Sequence, residues 1–308
     1  MEKIALTNGQ QSAFENIKKF LASNERVFIL RGYAGTGKTT LVREVIAHFK
    51  SQQQQFKLLA STGRAAKIMT NVTGALASTV HSLIYKYNDF NQDLETIVKQ
   101  REETGVDKSG QLYLTFGLAS LDNEAEDKCI YIIDEASMIS DTADKNITQA
   151  FFGSGRLLYD LLHFDSNGKF IFVGDDCQLP PIAQAFSPAL SVEYFKQEYG
   201  YNAFHSELTQ IMRQAQGNDI VRASHNLRNL ARNFTPMKWG KLPLKGYRHI
   251  TLYKDSISLM SAYIANIKKN GFNNATLLCR SNKTCNDLAM LRTYLPQGTR
   301  RRMGTHIY

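Results

Sequence analysis

The strongest chemical signal in the sequence is a glycine-rich turn at residues 32–39. Gly32 is followed by four residues and then by Gly37, Lys38 and Thr39. Glycines let the backbone curl so that several N–H groups point at one anion, and the helical pattern that follows adds its positive N-terminal dipole. A lysine here can reach the outer phosphates of a nucleotide, and a threonine hydroxyl can bind Mg²⁺. The spacing therefore predicts a phosphate-binding loop of the Walker A type.

The predicted ligand of this loop is ATP with Mg²⁺. Most of the contacts should come from the backbone, with the Lys38 side chain on the β- and γ-phosphates. The residues predicted to bind the nucleotide are Gly32, Ala34, Gly35, Thr36, Gly37, Lys38, Thr39 and Thr40.

Two carboxylates, Asp134 and Glu135, follow an apolar run at residues 130–133. Alone, adjacent acids could belong to a solvated loop. In a nucleotide hydrolase, the first acid at such a strand end holds Mg²⁺, directly or through water, and the second orients and deprotonates the attacking water. Beside the phosphate-binding loop, the pair predicts Asp134 and Thr39 as metal ligands and Glu135 as the general base.

A third apolar run, residues 170–173, leads into a loop that contains Gln178 and the pair Pro180-Pro181. The glutamine amide can hydrogen-bond a γ-phosphate or the attacking water and report its loss. Proline fixes φ, so the pair stiffens the exit from the loop. In isolation this string would indicate a turn.

Short apolar runs of this kind are typical of strands buried on both faces. Amphipathic helical patterns lie between them, for example at residues 41–49 and 65–72. The alternation predicts an α/β fold of the P-loop NTPase class, with a wound, mainly parallel sheet and ligands at the carboxyl ends of the strands. The predicted strands are residues 27–30, 58–60, 130–133, 170–173 and 276–278.

In their order along the chain, these motifs resemble those of superfamily 1 DNA helicases, in particular the RecD- and Dda-like branch (superfamily 1B). Residues 6–13 resemble the family's N-terminal glutamine motif, residues 77–83 its Thr-Ile-His segment, and residues 208–214 its motif IV. The matches span residues 6–214. Residues 277–283 resemble a strand of a second RecA-like domain only weakly.

The resemblance implies roles for residues that spacing alone does not assign. Gln10 would read the adenine edge, and Arg213 would act as an arginine finger on the γ-phosphate. Single-stranded DNA would be bound through hydroxyls, loop N–H groups and arginine, which contact phosphates without reading sequence. The nominated residues are Thr62, Gly63, Arg64, Thr79, His81 and Ser82. His81 taken alone would be a buried core histidine; within the family we favour proximity to DNA.

The domain organisation follows from breaks in the pattern. We expect a first RecA-like domain at residues 1–215, with an insertion at about 85–127, and an incomplete second one at residues 216–308. Tyr113 and Phe116 in the insertion could form a strand-splitting pin or could simply pack in a hairpin predicted at residues 111–117. The second domain is predicted as strand, helix, strand, helix at residues 249–253, 257–267, 275–279 and 285–295.

The family's later motifs do not appear before Tyr308. We therefore expect a shortened second domain. Translocation needs two domains that close around ATP, so nucleotide binding should survive better than hydrolysis, and unwinding should suffer most.

The composition is that of a globular protein, with 43% hydrophobic and 21% charged residues. A net charge of +9 favours polyanionic partners. The four cysteines form no C-x-x-C pair, which argues against a zinc site or a disulfide framework. No secretion signal or bilayer-length apolar run occurs, so we expect a cytoplasmic protein with no membrane partner. A monomer that binds single-stranded DNA and duplex junctions is favoured.

The leading hypothesis is an ATP-dependent DNA helicase or translocase core, with 5′-to-3′ polarity implied only by the resemblance. The alternative is a non-catalytic module that binds nucleotide and single-stranded DNA. ATP turnover with and without DNA separates the two. A phosphate-loop kinase acting on a small molecule would explain residues 32–39 but neither residues 174–181 nor Arg213.

Overall fold

The computed structural model of the chain describes residues 5–87, 114–119, 129–143, 150–210, 219–232, 246–271, 274–279, 281 and 283–284. The chain divides into two compact units: unit 1 comprises Met1–Gly217 and Arg228–Thr235, and unit 2 comprises Asn218–Leu227 and Pro236–Tyr308. The boundary at residue 215 and the incomplete second RecA-like domain stay predictions. None of the helices within the described ranges is long and apolar enough to cross a bilayer.

Nine strands are assigned within these ranges. They are β1 (Val27–Gly32), β2 (Phe56–Ala60), β3 (Ala77–Thr79), β4 (Tyr85–Tyr87), β5 (Leu114–Leu118), β6 (Ile130–Asp134), β7 (Ala150–Phe152), β8 (Lys169–Gly174) and β9 (Phe204–Leu208). Six of them form one parallel sheet in the order β3-β2-β6-β8-β1-β9. The predicted α/β class with a wound, mainly parallel sheet is confirmed.

The described ranges also contain eight α-helices. They are α1 (Asn8–Ala22), α2 (Lys38–Ser51), α3 (Gly63–Thr73), α4 (Val80–Ile84), α5 (Leu157–Phe164), α6 (Val192–Tyr199), α7 (Asp219–Arg232) and α8 (Ser256–Asn270). Parallel strands need crossover connections, and helices α1 to α6 place apolar side chains on both faces of the sheet.

The core of unit 1 consists of two hydrophobic clusters. Phe28 and Leu30 of β1 pack in the cluster that contains Phe20 of α1. Ile29 of the same strand packs in the cluster that contains Phe195 of α6. Because both faces are covered, the central strands are continuous apolar runs, which confirms the predicted strands at residues 27–30, 58–60, 130–133 and 170–173.

The helical pattern at residues 65–72 was only partly correct. Ala66 and Met69 of α3 are buried, but Ile68 is 51% and Val72 44% exposed. Because helical residues advance by about 100° each, Ile68 and Val72, four residues apart, lie above one another on the same side of the helix, and that side faces solvent. Gly74 ends the helix in the left-handed region.

A small second sheet carries the described part of the predicted insertion. Strand β5 pairs antiparallel with β4 and parallel with β7. The predicted hairpin is therefore not local: β5 finds its partners in more distant parts of the chain. Phe116 stacks on Phe152 with ring centroids 4.6 Å apart, which shows a packing role. Tyr113 lies outside the described residues.

Two strands predicted in unit 2 are not strands. Residues 249–253 and 275–279 form no ladder. A strand needs a neighbour to satisfy its N–H and C=O groups, and the described residues of this unit supply none. The predicted helix at residues 257–267 is confirmed as α8, whose N-terminus is capped by Asp255 accepting from the Ser258 N–H at 2.7 Å. Residues 285–295 lie outside the described ranges.

Candidate nucleotide-binding site

The turn between β1 and α2 has the backbone that its glycines predict. Gly35 and Gly37 lie in the left-handed region, with φ of 83° and 81°. The Thr36 hydroxyl donates to the Tyr33 carbonyl at 2.8 Å, which ties the turn to itself. A Cβ at Gly32 would lie 2.8 Å from the Thr36 hydroxyl, so the first glycine is needed for close packing. The turn leads directly into the N-terminus of α2, as a phosphate site requires.

Gln10 holds this turn from the side of α1. Its amide oxygen accepts from the Thr7 N–H at 2.9 Å, completing a capping box at the start of the helix. Its amide nitrogen donates to the carbonyls of Thr36 and Gly37 at 3.2 and 3.3 Å. The side chain is thus a buried brace on the phosphate-binding loop. Its predicted contact with adenine stays a prediction.

Lys38 folds back onto the same turn. Its ammonium donates to the carbonyls of Gly32 and Tyr33 at 2.7 and 3.2 Å. Burial lowers the pKa of this ammonium, and the nearby carboxylates of Asp175, Glu135 and Asp134 oppose that drop. The lysine therefore lies within electrostatic reach of the acids that follow β6 and β8. Thr39 and Thr40 are half-buried in the first turn of α2.

The acid pair lies at the carboxyl end of β6. Burial raises the pKa of Asp134 to about 6, and the like charge of Glu135 adds to the rise. Glu135 has φ 52° and ψ 39°, a left-handed conformation that costs a non-glycine residue on the order of 1 kcal/mol. Strained backbone of this kind is typical of functional positions.

The loop after β8 begins with a buried acid. Asp175 is 1% exposed; it accepts from the Cys177 N–H at 3.0 Å and forms an ion pair with Arg228 of α7. Gln178 is exposed, and its backbone N–H closes a turn onto the Asp175 carbonyl at 3.1 Å.

A second buried acid fixes the loops after β6 and β8 to each other. Asp141 accepts from the hydroxyls of Tyr194 and Tyr199, both at 2.7 Å, and from Arg156 at 3.1 Å. The Asp141 N–H in turn donates to the side chain of Gln184 at 3.2 Å. Asp141 therefore ties the segment that follows the acid pair to the segment that follows Gln178.

The residues nominated for DNA lie at the carboxyl ends of β2 and β3. Ala60 and Thr79 are in register there, and Thr62 and Thr79 cap the helices that follow. Thr62, Gly63, Arg64 and Ser82 are exposed. Ser82 exchanges hydrogen bonds with Thr79, at 2.9 Å between the hydroxyls. This edge offers hydroxyl, N–H and guanidinium groups to a phosphate backbone, a role that stays a prediction.

His81 lies half-buried between these exposed groups and the small sheet. Its ring meets Phe152 edge-on at 5.3 Å and Tyr85 at 5.6 Å. Burial lowers the pKa of the imidazole. The neutral ring therefore packs among aromatic side chains, and its contact with DNA stays a prediction.

Unit 1 thus places Lys38 after β1 and the pair Asp134 and Glu135 at the end of β6, on the same edge of the sheet, with Asp175 after the intervening strand β8. Arg213 lies outside the described residues, so its predicted role stays a prediction. The sequence assigned no role to Asp175 or to Arg228. Asp175 follows Gly174 at the end of β8, so its position at a strand end could have marked it. Arg228 is one of 37 lysine and arginine residues, and no motif distinguishes it.

A family described as AAA domain matches residues 5–235. The chain belongs to this family. The ATP-dependent RecD2 DNA helicase of Deinococcus radiodurans is 29% identical over 205 residues, which is 67% of this chain and 22% of that protein. The ATP-dependent DNA helicase dda of Enterobacteria phage T4 is 35% identical over 98 residues, covering 32% of this chain and 22% of that protein. The predicted resemblance to the RecD- and Dda-like branch is confirmed.

Among solved structures, the Pif1 helicase from Candida albicans matches with a TM-score of 0.45 and 20% identity. That match covers 86% of this chain and 55% of the other. The matched segments span about a fifth of the length of the RecD2 and Dda relatives.

Proposed function

We propose that this chain binds ATP on the β1–α2 turn, hydrolyses it, and couples the hydrolysis to movement along single-stranded DNA. The observation that carries the proposal is the sheet order β6-β8-β1, which sets the turn that contains Lys38 at the same edge as the carboxylates of Asp134, Glu135 and Asp175. A glycine turn alone can bind phosphate. A turn with two adjacent acids at the same edge of the sheet also has the groups needed to hydrolyse the terminal phosphate bond of ATP.

Nucleotide binding begins with an exchange of partners. The Lys38 ammonium donates to two carbonyls of its own turn, so these bonds must give way before it can reach phosphate oxygens. A charge-assisted bond to phosphate is stronger than a bond to a neutral carbonyl, which favours the exchange. The brace from Gln10 keeps the turn in place while its lysine moves.

The chemical step needs a base beside the terminal phosphate. Glu135 would take the proton from the attacking water. Glu135 follows β6 directly, and its left-handed backbone conformation sets the direction in which its side chain leaves the chain. Arg213 would stabilise the charge that develops on the transferred phosphoryl group.

Two side chains of the site would hold a Mg²⁺ ion. Thr39 and Asp134 offer a hydroxyl and a carboxylate, the oxygen ligands that this ion prefers. Burial makes the ionised form of Asp134 costly, so a cation beside it would be stabilising. When bound, Mg²⁺ would neutralise charge on the outer phosphates.

The partner that we propose is single-stranded DNA at the edge formed by the ends of β2 and β3. The curated relatives named above are ATP-dependent DNA helicases. The net charge of +9 favours a polyanion, and the groups at this edge suit a phosphate backbone. From the resemblance to the RecD- and Dda-like branch we also propose 5′-to-3′ movement along the DNA.

The test is the ATPase rate of the full chain with and without single-stranded DNA, compared with Glu135→Gln and with Asp176→Asn as a carboxylate-to-amide control in the neighbouring loop. We expect DNA to stimulate the parent and the control, and Glu135→Gln to bind ATP without turning it over. Hydrolysis by Glu135→Gln at the parent rate would contradict the assignment of the base. Tight ATP binding by the parent with no turnover would support a binding module instead.

A further inference from the structure

Arg228 is the one residue of α7 that pairs with an acid at the end of the central sheet, among the described parts of the chain. Its guanidinium forms an ion pair with Asp175, which is 1% exposed. The centre of the guanidinium lies 4.0 Å from the ring centroid of Tyr33, in the phosphate-binding turn. All these residues belong to unit 1.

The guanidinium is not fully satisfied by these contacts. Its Nε is buried and has no hydrogen-bond partner among the residues that the structure describes. A buried donor without an acceptor costs about 1–3 kcal/mol, so such a group normally signals a missing partner. The Lys38 ammonium lies at the same turn, because it donates to the Tyr33 carbonyl at 3.2 Å while Arg228 packs over the Tyr33 ring. Two cations at one turn define a place where an anion would be stabilised.

We propose that Arg228 is a second phosphate-binding cation of this site, held by Asp175 until ATP arrives. Arginine presents several donors in one plane and suits phosphate oxygens in a bidentate arrangement. A terminal phosphate lying between Lys38 and Arg228 would relieve their repulsion and give the Nε an acceptor. Stacking on Tyr33 fixes the plane of the guanidinium in advance. This inference rests on the proposed function, since it concerns the same nucleotide.

The residue would therefore distinguish ATP from ADP. Lys38 reaches the β-phosphate as well as the γ-phosphate, so it should support the binding of both nucleotides. We place the phosphate contact of Arg228 at the terminal group, because its partner Asp175 follows β8, the neighbour of the strand that ends in Asp134. Its contribution should therefore be confined to ATP. An arginine that only supports the fold would affect both nucleotides alike.

The experiment is calorimetric titration of the full chain with ATP and with ADP, each with Mg²⁺. Arg228→Gln should weaken ATP binding at least tenfold while ADP binding changes less than twofold, and Arg228→Lys should recover part of the loss. The matched control is Arg222→Gln, because Arg222 lies on the same helix, pairs with Asp219 and packs over the ring of Tyr247. The control should leave both affinities unchanged.

Removing the carboxylate of Asp175 should change ATP affinity in the opposite direction from removing the guanidinium of Arg228. Titrated with ATP in EDTA, so that no metal contact intervenes, Asp175→Asn should bind ATP more tightly than the parent because the competing carboxylate is gone. If the ion pair were only structural, both variants would weaken binding together, and that result would overturn the proposal. Circular dichroism confirms that each variant is folded before titration.

The failures of the two proposals are distinct. A parent chain that binds neither nucleotide removes the proposed function and this inference with it. A parent that binds ATP through Lys38, and whose Arg228→Gln variant keeps the parent's affinities for both nucleotides, removes only the role of Arg228.

Discussion

Asp134, the half-buried acid at the end of β6, should make the metal-free protein less stable as the pH rises. Asp134 has a pKa of about 6 in the fold, against 3.8 for an ordinary aspartate. Because the folded state holds the proton more tightly, stability falls as the pH rises from about 4 to above 6. A difference of this size corresponds to about 3 kcal/mol, an upper figure for a side chain that keeps some contact with solvent.

Asp134→Asn removes this cost. In EDTA at pH 7.5 we expect the variant to unfold in urea with a free energy up to about 3 kcal/mol higher than the parent's. Near pH 4 the two proteins should be equal, because the parent's carboxyl is then largely protonated. The variant should also bind Mg-ATP more weakly, so stability and function change in opposite directions.

The control for this prediction is Glu15→Gln, which alters an exposed carboxylate. A hydrogen bond from Lys18 lowers the pKa of Glu15, so its removal should give no gain in stability at high pH. The assay is urea unfolding followed by circular dichroism at half-unit steps from pH 4 to 8. A stability difference between parent and Asp134→Asn that does not vary with pH would refute the reasoning.

Three further substitutions are tested with the same unfolding assay. Glu135→Gly should raise stability by about 1 kcal/mol, because glycine adopts φ 52° without strain, although turnover is lost; a loss of stability would contradict the strain. Lys169→Met should lower the free energy of unfolding by about 3 kcal/mol, because the buried ammonium donates to the carbonyls of Phe20, Ser23 and Glu25 at 3.1, 2.8 and 2.7 Å. The control is Lys18→Met, which changes an exposed lysine. An equal loss of stability in both variants would contradict the contribution of these buried hydrogen bonds. His81→Phe should remove a fall in stability as the pH drops below about 6.5, because burial lowers the imidazole pKa and protonation then opposes folding; an unchanged pH profile would contradict it.

The parts of the fold that the sequence predicted are those set by local pattern. Strands β1, β6 and β8 are buried on both faces, so each is a continuous apolar run, and its polar continuation marks the strand end. The glycine turn is likewise local, because its φ angles need glycine at Gly35 and Gly37. The site could therefore be assembled from strings of sequence.

The parts that it missed depend on partners distant in the chain. Residues 275–279 have the composition of a strand but no neighbouring strand in the described part of unit 2. Asp175 and Arg228 are 53 residues apart, and no spacing rule joins an acid in a loop to one basic residue among many. Ile68 is 51% exposed although it is apolar, because apolar character alone does not show on which side of α3 a residue lies.

The central claim is that the β1–α2 turn holds a triphosphate whose terminal group faces the acids after β6. The most direct measurement is a crystal structure of the full chain with Mg²⁺ and a non-hydrolysable ATP analogue. We expect the Lys38 ammonium to have left the carbonyls of Gly32 and Tyr33 for phosphate oxygens, with Asp134 and Glu135 beside the γ-phosphate. A nucleotide bound elsewhere, with Lys38 still on those carbonyls, would contradict the claim.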